Sequence, residues 1–440
     1  MPEKLSEHNP VIVIGAGPAG LMAATEAALS GWPTVLLEKM PSPGRKLLIT
    51  GNGRCNVTNS CDPGVLPDHI FNGAKFLRSV FSRFNNRDLV ALLKNSGMTL
   101  VEEPGGKLFP ASGKAADILD FFLQRAKAAG VQIISGMPVE EVILTHPIAT
   151  AKSGSGVPQA TGVRSGQGLL AASAVVLAAG GRSWPRTGSN GDGTRIAAAA
   201  GHSIVPERPA LVPLVLMDQQ LRSLQGIALR DIELQLKTGR TIAGSTRGDL
   251  LFTHFGVSGP AVLRLSRLLS EPWPDEQVSL LIDLLPELSA EAADRQLLQM
   301  LAAEPRRQLR NSLSSWLPAA FCPHLLRLAD LPAELMNGRA TKAQRQQLLR
   351  AVKALRLQVS GSRGFREAIV TAGGVKLNEI NPRTMASRLV SGLFLAGEVL
   401  DIDADTGGYN LQAAWSTGWL AGRSAAEYSL QRSSGPAIII

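Results

Sequence analysis

The hydrophobic pattern opens with an apolar β-branched run, VIVI at residues 11–14, a turn of small residues from Gly15 to Gly20, and an Ala-rich segment ending at Gly31. That order predicts a buried strand, a tight turn and a helix. A second apolar run, TVLLEK (34–39), predicts a strand ending at Glu38. Helical periods follow near 75–97 and 115–130, alternating with short strands such as VQIIS and VEEVILT. SAVVLAAGGRSWP (173–185) and GLFLAGEVLD (392–401) predict two more buried strands, the latter running into a helix, LQAAWSTGWLAG. From about 206 to 286 the apolar positions fall in short alternating segments, which favours a small β-barrel or sandwich. From about 287 to 358 a Leu/Ala/Gln/Arg-rich stretch has helical periodicity.

The pattern therefore predicts an α/β chain. A discontinuous Rossmann-like domain occupies 1–205 and 366–440, with a β-rich, barrel-like insertion at 206–286 and a helical, basic subdomain at 287–365. At 440 residues, two or three domains are expected. Three cysteines (Cys55, Cys61, Cys322) without a C-x-x-C pair argue against a disulfide framework or structural zinc. The polar start, MPEKLSEHNP, lacks the apolar core of a signal peptide, and no uncharged apolar run reaches the roughly 18 residues of a membrane helix. A cytoplasmic protein is the expectation. There the sequon Asn56-Val57-Thr58 would carry no glycan.

The turn has G-x-G-x-x-G spacing between a strand and a helix, and an acidic strand end follows 18 residues past Gly20. This is the dinucleotide-binding arrangement. Gly15 would permit the tight turn, and Gly17, with Ala16, Pro18 and Ala19 beside it, would let backbone approach a pyrophosphate. Gly20 would allow close helix–strand packing, and the helix N-terminus would face the anion. Glu38, followed by Lys39, would accept from ribose hydroxyls, which disfavours a 2′-phosphate there. No second such turn occurs; Gly188-Ser-Asn-Gly191 lacks the spacing. The late segment Gly397-Glu398, then Gly408-Tyr409-Asn410-Leu411 opening a helix, suits the far half of FAD rather than NAD. Glu398 would take a ribityl hydroxyl, and Ala179-Gly180-Gly181 would pass near the cofactor. No histidine or cysteine context demands a covalent link, so FAD is expected to be non-covalent.

GAGPAG, GRKLLITGNGRCNVTN, LFTHFGVSGPAVL, TAGGVKLNEINPRTM and GEVLDIDADTGGYNLQAAWSTG, in that order, resemble the BaiN/RdsA family of FAD-dependent oxidoreductases, formerly YhiN-like flavoproteins. Where close relatives carry three glycines before Arg-Cys-Asn, this chain has Gly51-Asn52-Gly53, and a stretch at 149–172 reads as a variable insertion. The resemblance implies that the GNGRCNVTN loop wraps the flavin. Gly51 and Gly53 would approach the ring, and Asn52 and Asn56 would offer amides to its polar edge. Arg45 and Lys46 would meet the pyrophosphate or a reduced flavin's charge. Backbone at Val139 would meet adenine, and Tyr409 would touch the flavin face. Cys55 is either a buried filler or a reactive thiol.

The resemblance also implies reduction of an activated carbon–carbon double bond, in a small molecule or in a uridine of ribosomal RNA. NAD(P)H would bind transiently as electron donor. Such a step needs a proton donor, for which His254 is the candidate, before a helix entered through Ser258 and Pro260. No metal-ligand cluster, H-E-x-x-H element, Walker A loop or G-x-S-x-G elbow supports a hydrolase or NTPase. Two alternatives stand: a small-molecule enoyl-type reductase or oxidase, and a non-enzymatic RNA-associated or redox-sensing flavoprotein.

Charge adds one element. Of the net +9, the stretch 305–366 carries twelve Lys and Arg against Asp330 and Glu334, so the remainder nets about −1. In TKAQRQQLLRAVKALR (341–356), Leu348, Ala351, Val352 and Leu355 share one side of a helix, and Lys342, Arg345, Lys353 and Arg356 line a neighbouring side. That face is either an ordinary solvated one or a groove for a nucleic acid. With 5% aromatic residues, RNA contact would run through phosphates and shape. The oligomeric state is not legible.

Overall fold

The computed structural model describes residues 8–146, 156–269, 273 and 275–433. Residues 1–7, and the part of the expected insertion at 149–155, lie outside them. The chain divides into two compact units, 1–208 with 370–440, and 209–369.

The first unit is built on a five-stranded parallel sheet. β1 (Val11–Ile14) leads through the glycine turn into α1 (Pro18–Leu29), then to β2 (Thr34–Glu38) and the short helix α2 (Arg45–Ile49). β3 (Gln132–Ser135) and β4 (Ala174–Leu177) follow, and β5 (Leu393–Leu395) arrives after the second unit. The spatial order is β5-β4-β1-β2-β3. Val11–Ile14 register with Ala174–Leu177 on one side and Thr34–Leu37 on the other. All four β1 residues are buried, as a strand covered on both faces requires.

The final helix, α3 (Tyr409–Ser433), packs along α1 with almost no side chain between them. A Cβ at Gly418 would lie 2.3 Å from the carbonyl oxygen of Ala19, and one at Gly422 would lie 2.1 Å from that of Ala23. Both pairs have i, i+4 spacing, so each helix offers one small-residue face to the other. Trp415, fully buried on α3, stacks on Phe122 at 4.3 Å. Although α3 runs 25 residues, no helix among the described residues is long and apolar enough to cross a membrane.

Several local expectations change. The helical stretch near 75–97 is two helices, Ala74–Phe81 and Asn86–Asn95, because Asn85 and Asp88 form a capping box that starts the second. The described part of the expected insertion is regular: Gln159–Ser165 and Gly168–Ala171 join Val139–Thr145 in a three-stranded antiparallel sheet.

In the second unit a closed six-stranded barrel uses Leu214–Leu216, Ala228–Thr238, Thr241–Phe252, Gly256–Ser258, Val278–Asp283 and Leu355–Ser362. The sixth strand comes from beyond the helical stretch. The helix ends at Lys353 rather than near 358, because Leu355, Leu357 and Val359 are buried at alternate positions, the period of a strand. Barrel residues Leu234 and Leu280 share one core with Leu297, Leu325 and Leu348 of the helices. The inserted stretch thus has one core, where the sequence suggested separate β-rich and helical parts.

The helix contact generates a direct test. Gly422→Val should destabilise the protein by about 3 kcal/mol in urea unfolding, because backbone rather than a flexible side chain blocks the added carbons. A change below about 0.5 kcal/mol would show that the helices can slide apart.

Candidate functional site

The glycine turn has the geometry its spacing implies. Gly15 adopts φ +98°, and a Cβ there would lie 2.7 Å from the Ala178 oxygen; one at Gly20 would lie 1.8 Å from the Gly15 oxygen. At Gly17 an added Cβ meets nothing within 4 Å. Gly17 is the N-cap of α1 with Pro18 behind it, and no side chain caps the first-turn N–H groups. An open space over uncapped helix donors, with a backbone free to be approached, fits a pyrophosphate.

Glu38 closes this site from the end of β2. Its Oε2 accepts from the Ala16 N–H and its Oε1 from the Met40 N–H, both at 2.8 Å. The carboxylate therefore braces the turn and keeps lone pairs that could take a ribose hydroxyl. Val139 is buried and registers with Ser165, and the Met137 N–H donates to the Glu38 oxygen at 2.8 Å, which sets the Val139 strand beside the end of β2. Lys39 does not reach toward a phosphate: its Nζ donates to Asn190 and Asp192 at 2.6 Å.

At the start of α2, the N–H of Gly44 donates to the Ala16 oxygen at 3.0 Å, tying the helix to the turn. Arg45, half-buried, makes no hydrogen bond or ion pair. Its neighbour does. Lys46 Nζ pairs with Glu398 Oε2 at 2.6 Å and donates to Ser183 Oγ at 2.5 Å. Glu398 Oε1 accepts from Ser183 Oγ at 2.9 Å and from the Thr371 N–H at 2.8 Å. The sequence assigned Lys46 and Glu398 separately to phosphate and ribityl. The structure makes them one ion pair across 352 positions, each 22% exposed. Gly181 and Gly397 allow this convergence: a Cβ at Gly181 would strike Thr371 Oγ1 at 2.5 Å, and one at Gly397 the Cβ of Ala19 at 2.8 Å. Ala179 is partly buried against the core, and at Gly180 (φ +74°) the nearest atom to an added Cβ is Ser189 Oγ, at 3.7 Å.

The loop that the sequence set against the flavin ring divides in two. Gly51, Asn52 and Gly53 are exposed with positive φ, and Asn52 has no partner. Residues 55–59 turn inward and latch onto the start of α3. In the amide orientation that satisfies its neighbours, Asn56 donates to the Thr58 oxygen and accepts from the Gly408 N–H, each at 3.0 Å. Thr58 Oγ1 donates to Gln412 at 2.6 Å, and Trp415 Nε1 donates to the Val57 oxygen at 3.2 Å. A Cβ at Gly408 would lie 2.5 Å from the Thr58 oxygen. Asn56 thereby holds the loop to the start of α3. Asn410 bonds both backbone groups of Ala404 and the oxygen of Asp405. Tyr409 is buried and stacked on His69 at 4.2 Å, so its ring faces protein. Leu411 is half-buried against the core.

Cys55 is fully buried at φ +60°, and burial pushes its thiol up to about 12. It is the filler, not a nucleophile. His254 lies on the second unit, exposed in the turn before Gly256–Ser258, its ring edge-on to Phe255. Ser258 belongs to that strand, and Gly259, at φ +97°, is the N-cap of the following helix, because only glycine accommodates that backbone with the Asp249 oxygen 2.7 Å from an added Cβ. One acid was missed. Glu207 has its Oε1 buried without a partner, and burial pushes its carboxyl up against the pull of Thr194 and Arg182. Pro-Glu-Arg-Pro offers no sequence signal for it.

Of the two readings of the basic helical face, a groove of free cations finds little room. Arg345 binds Asp294, Lys353 binds Asp283 and the oxygens of Leu285 and Leu288, and Arg356 reaches Ser279 and Gln277. These are struts between elements.

A sheet of this order, with a glycine turn, a Glu-ended second strand and an inserted barrel, defines an FAD-type Rossmann oxidoreductase fold. Residues 9–424 match the HI0933-like protein Rossmann domain, and the chain belongs to that family of FAD-dependent oxidoreductases. It is 33% identical over 427 residues to a 3-dehydro-bile acid delta(4,6)-reductase of Clostridium scindens, covering 95% of this chain and 99% of that one. It is also 33% identical over 418 residues to a ribosomal RNA dihydrouridine synthase of Escherichia coli, covering 94% and 97%. A solved structure of a 3-ketosteroid-delta4-(5alpha)-dehydrogenase from Rhodococcus jostii shares the fold at TM-score 0.51 and 17% identity, over 96% of this chain and 98% of that one.

Gly17→Val tests the cradle. The added carbons have space, so the cofactor-free variant should melt within about 2 °C of cofactor-free wild type, yet purify colourless. A yellow Gly17→Val protein would remove the pyrophosphate from this turn.

Proposed function

We propose that the chain is an FAD-dependent reductase that adds hydrogen across a carbon–carbon double bond conjugated to a carbonyl, takes its electrons from NADPH or NADH, and acts on a uridine ring in RNA. The two relatives supply the chemical constraint. A delta(4,6) 3-dehydro steroid ring and a uridine ring both carry a double bond polarised by a carbonyl, so the far carbon accepts hydride and the near carbon a proton. Bound FAD would supply the hydride chemistry. The turn from Gly15 to Gly20 would hold the pyrophosphate, and Glu38 the ribose.

The observation that carries the reading is Arg45. It is a half-buried cation without a partner, on a helix whose N-cap nitrogen is bonded to the dinucleotide turn. An uncompensated cation beside that turn favours a ligand that gains negative charge on reduction. The neighbouring Lys46–Glu398 pair is neutral in sum and would orient rather than charge the site. No second G-x-G-x-x-G turn stands between a strand and a helix, so the nicotinamide would visit and leave. His254, exposed and free of hydrogen bonds, remains the proton-donor candidate. A redox-sensing role finds no support at Cys55, whose thiol burial keeps protonated. An RNA substrate would place the reaction in the cytoplasm.

The reading is tested on yellow protein under nitrogen. NADPH or NADH should bleach the flavin's visible absorbance, and unmodified ribosomal RNA should restore it with formation of dihydrouridine. Restoration by a conjugated steroid ketone but not by RNA would favour the small-molecule reductase, and no bleaching by either nucleotide would remove the assumed donor. In the same assay, His254→Gln should leave bleaching unchanged and slow reoxidation by substrate about 100-fold. Equal reoxidation rates would dismiss His254 as the acid.

A further inference from the structure

We propose that one edge of the inserted unit, formed by residues 304–310 and 337–342, is a docking surface for the phosphate backbone of RNA. The proposal rests on the reading above in that it takes RNA to be the substrate carrier. It places the contact beside the helical face that the sequence left open as a groove, sharing only Lys342 with it.

The assignment follows from which cations are already occupied. Among the twelve cations of 305–366, five have no hydrogen bond or ion pair: Arg306, Arg339, Lys342, Arg350 and Arg366. Three of these are gathered on one edge. The Asn337 N–H donates to the Arg307 oxygen at 3.0 Å and the Gly338 N–H to the Pro305 oxygen at 2.9 Å. A Cβ at Gly338 would lie 3.0 Å from the Cβ of Pro305. The two backbones therefore touch, which sets Arg306 beside Arg339, and Lys342 follows as the first residue of the helix capped by Thr341.

Two hollows lie on the same edge. One of about 350 Å³ is lined by Arg307, Arg310, Asn311 and Ser314 among others. The other, of about 500 Å³, is lined by Glu304, Pro305, Arg306 and Arg307. Each is ample for a phosphate. Arg307 pairs with Glu304 at 2.6 Å and donates to the Asn311 oxygen at 3.0 Å, while half-buried Arg310 lies 3.6 Å from Glu334 and donates to Gln308 at 2.9 Å; both carboxylate partners are exposed. Exposed pairs contribute little, so these guanidiniums can exchange carboxylate for phosphate at low cost. No aromatic side chain lines either hollow, which leaves no platform for base stacking. Contact of this kind reads phosphates and helical shape rather than bases.

The test uses the FAD-loaded protein and a fluorescein-labelled, unmodified ribosomal RNA hairpin, followed by anisotropy across a salt series. Arg306→Glu, Arg339→Glu and Lys342→Glu are combined in one variant. A second variant combines Arg222→Glu, Arg240→Glu and Arg366→Glu, which reverses three other exposed, unpaired arginines of the same unit. The first should weaken binding about 30-fold and make the salt slope shallower by about 2, as loss of two to three phosphate contacts requires. The second should change affinity less than about 3-fold. Equal losses in both would show long-range charge without a docking edge, and overturn the proposal. Undiminished binding by the first variant would overturn it while leaving the RNA reading intact. If wild type itself binds no RNA, the substrate reading fails first and this edge with it. Polyglutamate competing as well as RNA at matched charge would reassign the edge to an acidic protein.

Discussion

The first unit depends on a contact made by main chain alone. Gly418 and Gly422 bring α3 against the carbonyl oxygens of Ala19 and Ala23, closer than any residue with a Cβ permits. This seats the C-terminal helix on the helix of the dinucleotide turn, although the two are nearly 400 positions apart in the chain. The consequences spread from there. Thr417 Oγ1 accepts from the Gly397 N–H at 2.9 Å, which fixes the end of β5. Trp415 and Gln412 receive the 55–59 latch. The exposed Gly51–Gly53 segment thus leads directly into a latch anchored on α3.

Charge is handled differently in the two units. In the first, Lys46 and Glu398 neutralise each other within a network completed by Ser183 and Thr371, so removing either partner would strand the other half-buried. Arg45, one residue away, is left uncompensated. In the second unit the large formal excess is misleading. Arg345, Lys353 and Arg356 stitch elements together, and only cations outside such pairs remain for a partner.

This division explains what could be read from sequence. The glycine turn was legible because its requirements are local: a buried strand, positive φ at Gly15, and contacts at Gly20 that exclude a side chain. The parallel sheet followed from continuous apolar runs buried on both faces, and most of the barrel from alternating apolar positions. The roles of Asn56, Tyr409, Asn410 and Glu398 were not legible, since their partners lie as close as two and as far as 352 positions away and no periodicity marks them. Residues 355–358 read as helix because they continue a strongly helical stretch, and barrel closure overrode that propensity by taking Leu355–Ser362 as a strand. Asn56 and Gly408 show the general pattern. Residues that stand out as polar or glycine within a motif also bring two motifs together.

The central claim is that this scaffold holds one dissociable FAD at the turn between β1 and α1. The direct measurement is the flavin released when purified protein is precipitated with acid, quantified against protein. The account predicts one equivalent of FAD in the supernatant and a colourless pellet. Flavin retained in the pellet, FMN in place of FAD, or protein that takes up no flavin on reconstitution would contradict it.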